Sequence, residues 1–177
     1  VAALAMDTGV TAATARPLSL APNGLHGLLC VAGVACCVAM AVPQVHIVAL
    51  TSDLGYAAQR GAEMLALMLA TGIISRLVFG WISDSIGGLP TLLVGSSLQA
   101  LTLVLFMFAD TLAGLYLMSA LFGLSQGGIV PAYAIIVRRY FAPGQTGWRI
   151  AMVLSMTLLG MALGGWLAGL LYDLTGS

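Results

Sequence analysis

Apolar runs of about twenty residues, separated by short polar or Gly/Pro-rich breaks, recur along this chain. A stretch of that length is what an α-helix needs to cross the roughly 30 Å hydrocarbon core of a bilayer. The pattern predicts helices over about residues 25–50, 57–83, 90–109, 112–137 and 150–172. The breaks are Thr51-Ser-Asp-Leu-Gly55, Asp84 to Pro90, Asp110-Thr111 and Pro143-Gly144, the last leading through Trp148 and Arg149 into the fifth helix. Residues 1–24 are rich in Ala, Thr, Pro and Gly and lack a helical apolar period, which predicts a flexible tail or linker. The predicted fold is therefore all-α, a polytopic transmembrane bundle of five spanning helices.

Some positions interrupt the apolar faces. Pro43 removes a backbone donor inside the first helix and falls beside Gln44 and His46. The fourth run carries Gly123, Ser125, Gln126, Gly127, Gly128 and Pro131 near its middle, where irregular backbone has to be satisfied by neighbours or line a cavity. Gly160, Gly164, Gly165 and Gly169 give the fifth helix the small-xxx-small spacing that lets backbones approach closely in lipid. Arg76 sits about 10 Å along the second helix from the turn at Ser83, at about 1.5 Å per residue. A cation at that depth costs about 3 kcal/mol on insertion scales, so it is expected to face a partner charge, a bundle interior or a watery cavity.

Composition agrees with membrane burial, since 60% of residues are hydrophobic and 7% charged, against roughly 25% charged in a typical soluble domain. The formal net charge is zero, with six basic and six acidic residues, which leaves no basic surface for nucleic acid. Cys30, Cys36 and Cys37 lie inside one apolar run and read as small buried residues. No His, Cys, Asp or Glu cluster has metal-ligand spacing, and no cofactor is expected. Arg16, Arg76, Arg138, Arg139 and Arg149 flank one side of the five spans and only Arg60 the other. The positive-inside rule then predicts a cytoplasmic tail and an external end after Asp173. An opening valine without a leader pattern, and an odd number of spans, suggest a piece of a longer polypeptide.

Gly80-Trp-Ile-Ser-Asp84-Ser-Ile-Gly87 resembles the Gly-x-x-x-Asp-Arg/Lys-x-Gly-Arg/Lys loop of the major facilitator superfamily, in the copy between the eighth and ninth helices. Here Ser85, Gly88 and Leu89 replace its basic members. The resemblance implies helices seven to eleven of a twelve-helix transporter, with the N-terminal half missing. Pro43-Gln-Val-His46-Ile-Val-Ala-Leu-Thr-Ser-Asp53-Leu-Gly55, together with Arg76, is similar to the monocarboxylate and oxalate:formate branch, which moves small organic anions. By that resemblance Arg76 meets the substrate carboxylate, Gly80, Asp84 and Gly87 form the conformational loop, and the protein is an integral plasma (inner) membrane protein.

On physical grounds a guanidinium suits a carboxylate because it presents paired donors and does not deprotonate. The alternative is that Arg76 snorkels to the interface or pairs with Asp84, although about 10 Å of depth is more than a snorkel usually needs. His46 could carry a coupling proton, or hydrogen-bond Gln44 or a carbonyl at the outer interface. Glu63 could carry a proton, or pair with Arg60 three residues away. Gln99 and Gln126 read first as glue between helices; Asp84 could cap a helix start or meet Arg138 or Arg139. Gly123-Leu-Ser125-Gln-Gly127 matches a hydrolase nucleophile pattern, but lies mid-helix with no histidine after it.

The reading that follows is not an enzyme but part of a secondary transporter for a mono- or dicarboxylate, working by alternating access. Its substrate path would be lined by Arg76, His46, Gln44 and Gln126, with a proton or counter-anion as co-substrate. The alternatives are a non-transporting membrane module or a truncated gene remnant, in either of which Arg76 is structural.

Overall fold

The computed structural model describes residues 21–109 and 111–175. Its helices are α1 (Pro22–Asp53), α2 (Ala58–Ile86), α3 (Gly88–Phe106), α4 (Leu112–Gln126), α5 (Ile129–Tyr140) and α6 (Pro143–Thr175). No strand occurs among the described residues. Helices α4 and α5 form one interrupted span, Leu112–Tyr140, so five segments are long and apolar enough to cross a membrane. Of the tail expected over residues 1–24, residues 1–20 with Asp7 and Arg16 lie outside the described residues, as do Asp110 and the last two residues, and residues 22–24 belong to α1.

Several boundaries differ from the sequence-based expectation, each for a local reason. Helix α1 starts at Pro22, because proline at the first helical position loses no hydrogen bond and its φ is already helical. The same reason makes Pro143 the first residue of α6, so Pro143-Gly144 is a helix start and Trp148 and Arg149 lie inside the helix. Helix α2 carries Asp84 and Ser85 in its last turn, and the polar stretch of 84–90 shrinks to Gly87, with φ +87°. That left-handed conformation is where a side chain would be strained. Helix α4 is capped by Thr111, whose hydroxyl accepts from the Gly114 N–H at 3.1 Å. The single helix expected over 112–137 is broken at Gly127-Gly128 and continues to Tyr140.

In sequence around the bundle, α6 packs on α1, α1 on α2, α2 on α4, and α3 covers α4 and α5, which closes back onto α6. The interrupted span is the centre of this arrangement: 61% of its most apolar window is buried, against 22–33% in the other spans. Tyr133, Phe122, Ile129, Ile136, Val137 and Leu115 from α4 and α5 supply much of the core. The outer helices present large apolar side chains instead, Leu77 and Trp81 each 74% exposed. Such a surface fits lipid contact.

Glycines set the helix separations. A Cβ added at Gly160 would come within 2.5 Å of the Val34 carbonyl oxygen, and Gly164 meets the Val38 carbonyl in the same way one turn further on. Gly123 of α4 meets the Met68 carbonyl of α2, and a Cβ at Gly61 would stand 2.6 Å from Val48 Cα. Overpacking of this kind typically costs about 1–3 kcal/mol. Gly164→Ala is therefore expected to lower the thermal unfolding midpoint in detergent. Gly27→Ala, whose added methyl meets nothing within 4 Å, should leave the midpoint unchanged or raise it. Equal effects at the two positions would show that α1 and α6 are not held by backbone contact.

Candidate functional site

The buried stripe of α2 runs Gly61, Met64, Met68, Gly72, Ser75, Phe79 and Ser83, at the three- and four-residue spacing of one helix face. Gly72 is the midpoint of the helix, and Arg76 follows one turn later, ten residues from the end at Ile86. That is about 15 Å along the axis at about 1.5 Å per residue, deeper than a turn beginning at Ser83 implies. Arg76 lies just beside the buried stripe, is exposed, and makes no hydrogen bond or ion pair with any described residue. It does not pair with Asp84, which is exposed and likewise without a polar partner among the described residues.

Across from this face lies the break between α4 and α5, with Gln126 at the midpoint of the span Leu112–Tyr140. Gly127 (φ −61°) and Gly128 (φ −87°) have ordinary right-handed angles, so neither glycine is there for backbone conformation. They are there for space. A Cβ on Gly127 would lie 2.5 Å from the Gly72 carbonyl oxygen and one on Gly128 would overlap Phe79. The Ser75 hydroxyl donates to the Leu124 carbonyl at 2.5 Å, satisfying backbone next to the break.

Gln44, one residue past the Pro43 that interrupts the α1 backbone ladder, donates through Nε2 to Gln126 Oε1 at 2.6 Å. Gln126 Nε2 lies 3.9 Å from where a Gly72 Cβ would stand, and it makes no hydrogen bond of its own among the described residues. Gly72 and Arg76 are one turn apart on α2, the first buried against the amide pair and the second exposed. Gln44 and Gln126 are therefore brought together by α1 and α4 beside Gly72 of α2, while Arg76 stands one turn further along α2, exposed and without a polar contact to either.

His46 is not part of this group. Two residues in a helix differ by about 200°, so His46 turns away from Gln44 toward α6. Its Nε2 lies 3.0 Å from the Gly165 carbonyl oxygen, which can only accept, so Nε2 carries the hydrogen. The ring lies in the wall of a largely apolar groove of about 690 Å³ that also includes Pro43, Leu50, Phe106, Ala168 and Tyr172. Glu63 is also elsewhere. It accepts from Arg60 Nη1 at 3.0 Å, from Gln59 Nε2 at 3.1 Å and from the Tyr116 hydroxyl, a polar clasp joining α2 to α4 at the Asp53 end of the bundle. Arg60 and Glu63 form an ion pair across one helical turn.

The remaining candidates have structural partners. Gln99 is buried and donates to the Cys36 carbonyl at 3.1 Å, holding α3 to α1. Ser125 donates to the Phe122 carbonyl at 2.8 Å inside α4, so the Gly-x-Ser-x-Gly match is helix packing. A Cβ at Gly80 would meet nothing within 4 Å, while one at Gly87 would stand 2.9 Å from Arg139 Nη1. Among the described residues, no three His, Cys, Asp or Glu side chains are grouped to hold a metal. A cluster that sequence reasoning missed joins His26 and Asn23 of α1 to Arg149 of α6. Placing Arg149 before the start of the fifth helix concealed it, although Pro143 is a helix-start signal.

A family model described as Major Facilitator Superfamily matches residues 27–177. Monocarboxylate transporter 13 of Rattus norvegicus is 26% identical over 138 residues, covering 77% of this chain and 32% of the relative. MFS-type transporter opdF of Penicillium oxalicum is 26% identical over 134 residues, covering 75% of this chain and 32% of the relative. MFS-type transporter hasB of Aspergillus fumigatus is 36% identical over 70 residues, 37% of this chain and 16% of the relative. The chain thus spans about a third of the length of the first and second of these. No solved structure matches it significantly.

The amide pair makes a direct prediction. Hydrogen bonds between membrane helices average about 0.6 kcal/mol in double-mutant cycles, with a maximum near 1.7. Unfolding of Gln44→Ala, Gln126→Ala and the double variant should give a coupling within that range. Strictly additive effects would mean that the two amides do not meet.

Proposed function

The chain belongs to the major facilitator superfamily, and from that premise we propose that it forms part of a secondary transporter moving a small organic anion by alternating access. The observation that carries this reading is Arg76, an unneutralised guanidinium about one turn along α2 from Gly72, where the Gln44–Gln126 pair meets the helix break. A carboxylate arriving there gains a charge-assisted and geometrically paired contact, and the free Gln126 Nε2 offers a further donor. Low dielectric strengthens the attraction, and the exchange of one anion for another avoids leaving the cation bare.

In this reading Arg76 binds the carboxylate, while Gln126 and Gln44 orient it from α4 and α1. Gly127 and Gly128 hold the interrupted span against α2, so the site is built on contacts that leave little room for adjustment. His46 hydrogen-bonds α6 and Glu63 is held by three donors. A proton taken up by either would act away from the substrate. A coupling proton therefore has its binding groups outside this constellation, whereas a counter-anion would take its turn at Arg76. The N-terminal half of the transporter is the partner that faces Arg76, and the loop of Gly80, Asp84 and Gly87 meets it at the cytoplasmic end. In this reading the protein lies in the plasma (inner) membrane, and the arginine distribution supports an orientation with the start of α1 cytoplasmic and Asp53 external. The printed name of the rat relative, a monocarboxylate transporter, supports the anion class.

The test is saturable uptake of labelled mono- and dicarboxylates into proteoliposomes containing the transporter of which this chain is a part. Arg76→Gln is expected to lower uptake by about 10- to 100-fold, the loss of one charge-assisted bond of about 1.5–3 kcal/mol, with Arg76→Lys in between. Equal uptake by wild type and Arg76→Gln would make the residue structural. Absence of carboxylate uptake by both would overturn the anion assignment.

A further inference from the structure

Where α1 and α6 begin, the fold buries Arg149 to 3% exposure, and it is the only buried Arg, Lys, Asp or Glu among the described residues. Its Nη2 donates to Asn23 Oδ1 and to Gln145 Oε1, each at 3.1 Å, and Nε reaches the same Gln145 oxygen at 3.3 Å. Phe141 and Trp148 lie over the guanidinium, their ring centroids 4.4 and 4.5 Å from Cζ. No described acid pairs with it, and Nη1 is buried without a hydrogen-bond partner.

His26 completes the cage. It is 7% exposed and stands edge-on to Phe141 (centroids 6.1 Å) and to Trp148 (5.2 Å). Nε2 lies 3.2 Å from Met152 Sδ and 3.9 Å from Cys30 Sγ, while Nδ1 is buried and also unpartnered. A buried cation without an acid, next to a buried imidazole with a spare nitrogen, is an arrangement that an anion would complete, since all the polar groups it does touch are neutral.

We propose that this cage is a binding site for a phosphate-bearing anion, with Arg149 Nη1 as the charged donor and His26 Nδ1, protonated at that nitrogen, as the second. Its position selects the chemistry. Trp148 is half exposed and covers the guanidinium, and Arg138 and Arg139 are exposed at the same end of the bundle. Tryptophan beside a basic cluster at a helix end matches the level of phospholipid headgroups, where inter-helix basic pockets take anionic lipid. A phosphate there presents several acceptor oxygens and can take both nitrogens at once. Outward rotation of the Trp148 ring is the entry route. The site is separate from Arg76, lying between α1 and α6 at the bundle end, and it does not depend on what the transporter carries.

The test uses the full chain purified in neutral detergent, with lipid binding followed by native mass spectrometry and by the thermal midpoint. Phosphatidylglycerol is expected to bind and to raise the midpoint by several degrees, and phosphatidylcholine to do neither. Glycerol 3-phosphate reproduces the shift if the headgroup alone is the ligand and leaves the midpoint unchanged if a membrane lipid is required. Arg149→Gln should abolish the shift, whereas Arg139→Gln, at an exposed arginine of the same end, should retain it. If Arg149→Gln does not accumulate, His26→Phe keeps the ring packing and should weaken phosphatidylglycerol binding about tenfold, one charge-assisted hydrogen bond's worth. Equal binding by wild type and the cage variants, or no response of wild type to either phosphate compound, overturns the site.

Discussion

Backbone-to-backbone approach at glycine is the constraint on which this bundle rests. Lipid tails are as apolar as leucine, so helices inside a membrane gain little from burying apolar surface against each other and depend on close packing and hydrogen bonds. Gly160 and Gly164 bring α6 onto the Val34 and Val38 carbonyls of α1, and Gly123, Gly127 and Gly128 bring α4 and the break onto α2. The result is two tight pairs, α1 with α6 and α2 with α4, joined where α1 crosses α2 and where α5 meets α6. Gln44 and Gln126 belong to different pairs, so their hydrogen bond spans the seam between them. A displacement of one pair relative to the other would strain that bond, which lies beside Gly72 of α2.

The spans were legible because a bilayer demands about twenty apolar residues in a row and this chain supplies them with polar punctuation. Their ends were less legible because polarity marks the membrane boundary, not the helix boundary. Asp84 and Ser85 are polar and still helical, and Pro143 looks like a turn yet opens a helix. Gly127-Gly128 was readable as a weak point, but its reason was not: the angles are ordinary and the glycines serve Gly72, Ser75 and Phe79, more than forty residues away in sequence. Among site residues, Arg76, Gln44 and Gln126 stood out because polar groups in apolar helices need a reason. His46 was grouped with Gln44 by proximity in sequence, whereas the helical period separates them. The cluster of His26 and Arg149, tied by the Arg149–Asn23 and His26–Met152 pairs that are each 126 residues apart, had only Pro143 as a local signal, and that marks the helix start rather than the contact.

Arg149 and Arg76, both within apolar helices, have opposite solutions to one electrostatic problem. Arg149 is enclosed, its charge spread over two aromatic faces and two amide oxygens. Such contacts are individually modest, about 0.5–2 kcal/mol for a cation over a ring depending on desolvation. Arg76 has no such enclosure. It is exposed on α2 among Ile73, Leu77 and Gly80, with nothing polar among the described residues in reach. Gln126, which lies beside Gly72 one turn away along α2, brings no negative charge.

That difference bears on how the proposed transporter could work. Were Arg76 caged as Arg149 is, an arriving carboxylate would first have to displace neutral partners, and the gain in binding would shrink accordingly. A bare cation leaves the full attraction for an anion. It also makes the empty site unfavourable, by about the 3 kcal/mol that an arginine at a helix centre costs. Neither Glu63, held by Arg60, Gln59 and Tyr116, nor His46, bonded to Gly165, can move to relieve it without breaking its own contacts. Within the proposed function, the charge that balances Arg76 therefore comes from the substrate or from the half of the transporter that faces it. The conformations that carry the site across the membrane are then favoured when one of those two is in place.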